Sequence, residues 1–197
     1  MINLNKKKNK KNSGFTLVET LVALFIFSIS IITTMSVLSG GVSNTMYAKN
    51  KVIAEYLAQE GIEYFKNIRD TSMLYDDDAQ AGWTNFKIKL TNSGCAEQNG
   101  CYFNNNETSF PDIGGGNWVS GIDFQQCVTN ICPNFSYNTV TGQYTSTGTQ
   151  NSVFSRKMKV EFTTGGDGLK VISEVTFITG TKSSTVSFSE NLSNWIE

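Results

Sequence analysis

The sequence predicts an α+β fold: a long N-terminal helix, membrane-spanning in its first half and amphipathic in its second, packed on a C-terminal antiparallel β-sheet head. Three observations predict it. Phe15 to Leu38 is an apolar run of 24 residues with a single ionisable side chain, Glu19. Met46, Ile53, Leu57, Tyr64 and Ile68 then recur at alternating steps of seven and four, one stripe of a helix. Near the C-terminus, three runs of alternating apolar and polar residues are separated by glycine turns.

The apolar run contains no Pro and no Gly. A bilayer core of about 30 Å needs about 20 such residues, so the run is long enough to cross. Lys6, Lys7, Lys8, Lys10 and Lys11 stand just before it. By the positive-inside rule these stay cytoplasmic and everything after the helix is exported. A secretory signal peptide is the simpler reading, with Val37-Leu38-Ser39 as a weak cleavage site. The run is long for such a peptide, and helical patterning continues past Ser39.

Glu19 is the sharper feature. A charged residue at the centre of a membrane helix costs roughly 2.5–3.5 kcal/mol on insertion scales, so one that is present calls for a role and a partner. No Lys or Arg lies near it on its own helix after Gly14. A chain cut after Gly14 would expose a cationic α-amine on Phe15, four residues from Glu19. That spacing lets the two meet within one helix, and lateral packing lets them meet between chains.

Ser13-Gly14-Phe15-Thr16-Leu17-Val18-Glu19-Thr20-Leu21-Val22-Ala23, behind its basic leader, resembles the start of the type IV pilins and the pseudopilins of type II secretion. The resemblance covers about 25 residues. It implies cleavage after Gly14 by a membrane prepilin peptidase and N-methylation of Phe15. It also implies pairing of Glu19 with the N-terminal amine of a neighbouring subunit, with Thr16 hydrogen-bonding into the same site. The implied partners are the peptidase, other pilin or pseudopilin subunits and an inner-membrane assembly platform. The implied location is single-pass in the membrane, N-terminus cytoplasmic, and then an extracellular or periplasmic filament. The wording Val18-Glu19-Thr20-Leu21-Val22-Ala23 and the C-terminal strands look more like a minor, V- or I-type subunit than a major one. The resemblance implies no cofactor.

Composition narrows the alternatives. The chain has 16 basic and 17 acidic side chains and no histidine. Loss of the five leader lysines leaves 11 basic against 17 acidic, a balance of −6. That gives no broad basic surface for nucleic acid, although a local patch for DNA uptake stays open. Without histidine there is no Ser-His-Asp or Cys-His nucleophile system, and the reading is of a non-enzyme.

The expected organisation is a leader over 1–14, the transmembrane and assembly helix over 15–38, the amphipathic continuation over 39–70 and a head over 71–197. Ser39-Gly40-Gly41 is either a flexible joint or a tolerated helical pair that permits close packing. If 15–70 is one rod it spans about 84 Å, of which only about 30 Å fits a membrane. Asp76-Asp77-Asp78 reads as a solvated turn rather than a calcium loop, since no ligand-spaced partner follows. In Thr84 to Leu90, the alternation of Phe86, Ile88 and Leu90 reads as a strand. Asp112 to Asn117 reads as a loop, and Trp118 to Val128 contains room for a strand.

The C-terminal sheet is read as a three-strand meander. Phe154, Met158, Val160 and Phe162 share one strand face, with Arg156 interrupting it. The turn Gly165-Gly166-Asp167-Gly168 leads to Leu169 to Ile178, with Val171, Val175 and Phe177 in step. Gly180-Thr181-Lys182 turns the chain again, and Ser184 to Phe188 returns with Val186 and Phe188 inward. Leu192 and Trp195 are expected to close the base of the core.

Cys95, Cys101, Cys127 and Cys132 lie in the turn-rich variable region 92–150 of the exported head. In an oxidising compartment they read as two disulfides. Local pairing, Cys95–Cys101 with Cys127–Cys132, closes two short loops and is preferred; cross-pairing would tie the loops together. A four-thiolate zinc site is the alternative, at looser spacing than usual knuckles. A second functional reading is an adhesin or DNA-uptake subunit whose region 92–150 meets a ligand, through residues such as Tyr102, Phe103, Trp118, Tyr137 and Tyr144.

Overall fold

The structure is a computed structural model that describes residues 14–76, 78–103, 124–145, 150–165 and 167–195. Two helices and seven strands follow in order: α1 (Leu17–Tyr75), α2 (Ala79–Asn92), β1 (Cys101–Phe103), β2 (Phe124–Gln126), β3 (Asn134–Tyr137), β4 (Tyr144–Thr145), β5 (Gln150–Phe162), β6 (Gly168–Thr179) and β7 (Lys182–Ser193). The expected α+β architecture is present, a long apolar-to-amphipathic helix on an antiparallel sheet. By their contacts the residues form two units, 1–45 and 46–197.

In the first unit every described side chain from Gly14 onward is exposed. The helix runs unbroken through Gly40 and Gly41, and nothing lies within 4 Å of where a Cβ would stand on either. Five hydroxyls of this apolar stretch, on Thr20, Ser28, Ser30, Thr33 and Thr34, donate to the helix itself. Ser28 donates to the Leu24 carbonyl at 2.7 Å, Ser30 to Ile26 at 2.8 Å and Thr34 to Ser30 at 2.8 Å. Such bonds to the preceding turn let hydroxyl side chains enter lipid without a stranded donor.

The second unit is built on the remainder of α1. Its buried stripe is Ala54, Leu57, Ala58, Gly61, Ile62, Phe65, Ile68 and Ser72. The expected stripe was therefore slightly misplaced. Leu57 and Ile68 are buried and Tyr64 packs at the margin, but Met46 is 56% exposed. Small residues sit where helix and sheet come closest. A Cβ on Gly61 would lie 2.8 Å from Ser173 Oγ and 2.9 Å from Met158 Sδ, so the bare glycine sets the helix-to-sheet distance.

The expected strand over Thr84 to Leu90 is instead part of α2. Trp83, Phe86 and Leu90 are fully buried at helical spacing, and Ile88 points outward. Both ends of this helix are fixed by local chemistry. The Asp78 carboxylate accepts from the Gln80 N–H at 3.1 Å, an N-cap. At the other end the Gly94 N–H donates to Thr91 O and the Cys95 N–H to Leu90 O, with Gly94 at φ +74°, a Schellman stop. The acidic turn thus has a structural role: Asp78 caps α2 and Asp76 accepts from Asn85 Nδ2 at 3.0 Å, while Asp77 lies outside the described residues. Gly82 brings α2 against α1. A Cβ there would stand 2.4 Å from the Ser72 carbonyl oxygen, and Ser72 Oγ donates to the Gly82 carbonyl at 2.7 Å.

The meander β5–β6–β7 is as expected, though β7 extends to Ser193. β6 pairs one-to-one with both neighbours. On its other edge β5 carries β3 toward Gln150 and β1 at Met158, with β4 beyond β3 and β2 beyond β1. These four short strands were not foreseen, apart from room for β2 within Trp118 to Val128. The loop expected over Asp112 to Asn117 lies outside the described residues. Arg156 does not interrupt β5, whose pairing with β6 is continuous from Phe154 to Phe162. Two other expectations fail. Phe162 is exposed at the strand end, and Trp195 is exposed, its indole N–H donating to Asp70 Oδ1 at 3.2 Å. Leu192 is buried as expected.

Arg156 is 3% exposed and faces α1. Its Nη1 donates to the Leu57 carbonyl at 2.9 Å and to Glu60 Oε2 at 3.2 Å. Its guanidinium carbon lies 4.2 Å from the Phe103 ring centre and 5.0 Å from that of Phe135. Phe103 belongs to the larger apolar cluster, with Phe65, Trp83, Phe86 and Met158, and Phe135 to the smaller one, with Leu57, Phe154 and Phe177. Desolvation pushes the guanidinium down to about 10, against the opposing pull of Glu60, so it stays charged at neutral pH.

Candidate cleavage and assembly site

The residues singled out at the N-terminus form one continuous exposed segment. Gly14 precedes the helix, and nothing lies within 4 Å of where its Cβ would stand. Phe15 is exposed beside it. Thr16 then starts the helix. Its Oγ1 accepts the Glu19 N–H at 3.3 Å, and its carbonyl accepts the Thr20 N–H at 3.2 Å.

Thr16 is thus the N-cap and Glu19 the third residue of the helix, in the pattern Thr-x-x-Glu of a capping box. This role of Thr16 was missed at the level of sequence, although the four-residue signature was visible. It has two consequences. The bonds that fix the helix start run between Thr16 and residues 19–20, so none of them spans the Gly14–Phe15 peptide. Glu19 also sits in the first turn, where the helix dipole favours a negative charge. Among the described residues the Glu19 carboxylate has no ion pair and accepts no hydrogen bond. The exposed apolar run therefore carries one acid with no counter-charge among the described residues.

By length and composition α1 can cross a membrane, and none of its apolar window is buried. Residues 9–35 match the family described as the prokaryotic N-terminal methylation motif. The chain carries the signature of type IV pilins and pseudopilins. The match begins among the residues before Gly14 and ends well inside the apolar helix, so it covers Gly14, Phe15, Thr16 and Glu19 together. No curated protein and no solved structure matches the chain. The match spans 27 of the 197 residues, and the head lies outside it.

The four cysteines lie apart from this segment, in the head. Cys95 is joined to Cys101 and Cys127 to Cys132, with Cα separations of 4.6 and 4.7 Å. All four sulfurs are committed to these bonds. The two loops abut: Cys101 faces Gln126 across β1–β2, and the Cys127 N–H donates to Gly100 O at 3.0 Å. The first disulfide is buried between the end of α2 and β1. The second closes a tight hairpin whose tip residues, Thr129 and Asn130, take positive φ of 48° and 65°.

Proposed function

We propose that this chain is a minor type IV pilin or pseudopilin. A prepilin peptidase cuts it after Gly14, Phe15 is N-methylated, and residues 15–38 hold it in the inner membrane with the leader lysines cytoplasmic. Residues 39–70 continue the helix and 71–197 form the exported head. Glu19 then accepts the cationic N-terminus of a neighbouring subunit. One buried charge pair among apolar helices penalises slipped alignments, so the pair sets register as subunits enter a pilus or a secretion pseudopilus. The observation that carries this reading is the carboxylate of Glu19, without a partner among the described residues, on an exposed apolar helix whose start is capped by Thr16.

The role is structural, with the head contributing contacts rather than chemistry. The adhesin or DNA-uptake reading finds less support. Phe103 is buried and stacks on Tyr64 at 4.0 Å, and Tyr144 packs on the smaller apolar cluster, with the half-buried Tyr137 against it at 5.1 Å; Trp118 lies outside the described residues. The proposal is tested by shearing surface structures from the producing cells and fractionating them. The processed chain is expected in the sheared filaments or in membrane-bound pseudopili, at low abundance relative to a major subunit. Its presence only as a soluble secreted monomer would contradict the proposal.

A further inference from the structure

We propose that the free edge of β7 is a strand-addition site that takes an extended segment of a neighbouring subunit; this rests on the filament-subunit reading above. Among the described residues β7 pairs only with β6, and twelve residues of it do so one-to-one with no bulge. The phase of its hydrogen bonds follows from two observations. The Gly180-Thr181 turn leaves Thr179 and Lys182 as the first pair, and at the far end the Asn194 N–H donates to Asp167 O at 3.0 Å. In an antiparallel pair alternate residues bond to the partner and the others point away. The even-numbered residues from Ser184 to Leu192 therefore bond to β6. Ser183, Thr185, Ser187, Ser189, Asn191 and Ser193 turn their N–H and C=O groups to the open side. Among the described residues none of these backbone groups has a partner there.

Natural sheets protect such an edge with proline, bulges, shortness or inward charges. β7 has none of these over Ser183-Ser184-Thr185-Val186-Ser187-Phe188-Ser189, an uncharged stretch without Pro or Gly. Its inner face is only half covered. Val186 and Phe188 are partly buried where Val171, Val175 and Phe177 on β6 are fully buried. Its outer side chains are small and polar, so a neighbouring chain can approach the backbone closely.

A row of alternating donors and acceptors at strand spacing is complementary to one thing, an extended polypeptide. The half-covered Val186 and Phe188 specify that segment further. It carries apolar residues at every second position, to lie beside them on the inner face, and small polar residues between. Self-pairing of two β7 edges is an unfavoured occupant, because a two-fold contact does not propagate along a polar filament.

The test is residue-resolved hydrogen exchange on the processed full chain, free in detergent micelles and within sheared filaments or pseudopili. Two variants accompany it: Ser187→Pro, which removes one outward N–H that β6 does not use, and Ser187→Lys, which keeps that N–H but adds an edge charge. The expected result is that odd-numbered amides from Ser183 to Asn191 exchange fast in micelles and slow at least about tenfold on assembly. Even-numbered amides are expected to be slow in both states. Both variants are expected to keep the even-numbered protection and lose incorporation, Ser187→Pro more than Ser187→Lys. Odd-numbered amides that stay fast in assembled chain, or variants that assemble like the wild type, would overturn strand addition and leave the subunit reading intact. A symmetric dimer in micelles with protected odd amides would overturn it in favour of self-pairing. A chain absent from every assembly would remove both readings together.

Discussion

Replacing Glu19 with alanine is expected to cut incorporation into filaments by about a hundredfold or more while leaving the subunit in the membrane. Truncating one member of a buried charge pair costs about 3–5 kcal/mol, because the other charge is left uncompensated in an apolar surrounding. Here the stranded group would be the neighbour's N-terminal amine. Insertion itself is expected to persist or improve, since the variant removes the single carboxylate of the apolar run. The head is expected to be unaffected, because the buried core among the described residues begins at Ala54. Glu19→Gln separates charge from shape: it keeps the length and the position after the Thr16 cap, and is expected to fail in assembly nearly as badly. The measurement is the ratio of filament-associated to membrane-resident chain. An unchanged ratio for either variant would remove Glu19 from assembly and leave its position without an account.

The second large effect is expected in the head. Arg156→Ala is expected to destabilise it by about 3 kcal/mol, read as a lowered denaturant midpoint for the full chain in micelles. The loss comes mainly from packing. The side chain fills the space between α1 and the sheet and covers the faces of Phe103 and Phe135. Its ionic partner contributes less, because Glu60 is about half exposed and can return to water. Arg156→Met keeps most of the volume and carries no charge, so it is expected to cost less than about 1.5 kcal/mol. A methionine variant as unstable as the alanine variant would show that charge, not packing, holds the two clusters together. The pH dependence has a definite sign. The folded guanidinium sits near 10, below its ordinary value, so folding weakens proton binding. That penalty is complete below about pH 10 and is relieved only as pH rises beyond it. The difference between wild type and Arg156→Met is therefore expected to be flat from pH 6 to 9.

The first 38 residues were legible because their physics is one-dimensional. A bilayer-length apolar run, a basic flank and one acid need no tertiary information. The C-terminal meander was legible for a similar reason: hairpins pair with their sequence neighbours, and Val171, Val175 and Phe177 alternate cleanly. The misreadings arose where packing between distant segments decides. Phe86, Ile88 and Leu90 alternate like a strand, yet the stronger triplet is Trp83, Phe86 and Leu90, bracketed by Asp78 and Gly94 as cap and stop. Arg156 looked like a break in β5 because nothing in its local sequence announces Glu60 or the Leu57 carbonyl, nearly a hundred residues away. The tolerance for Gly61 and Gly82 is equally non-local, since each is set by an atom on another element. At the N-terminal site the omission was different. The Thr16-x-x-Glu19 cap is a four-residue pattern that needs no tertiary information.

The most direct test is the mass of the endogenous polypeptide's N-terminal peptide, isolated from membranes and from sheared assemblies. The account predicts a chain that begins at Phe15 and carries one added methyl group on its amine, with the helix cap at Thr16 retained. A chain isolated from assemblies with Lys6 to Gly14 still attached, or one beginning near Gly40, would contradict it.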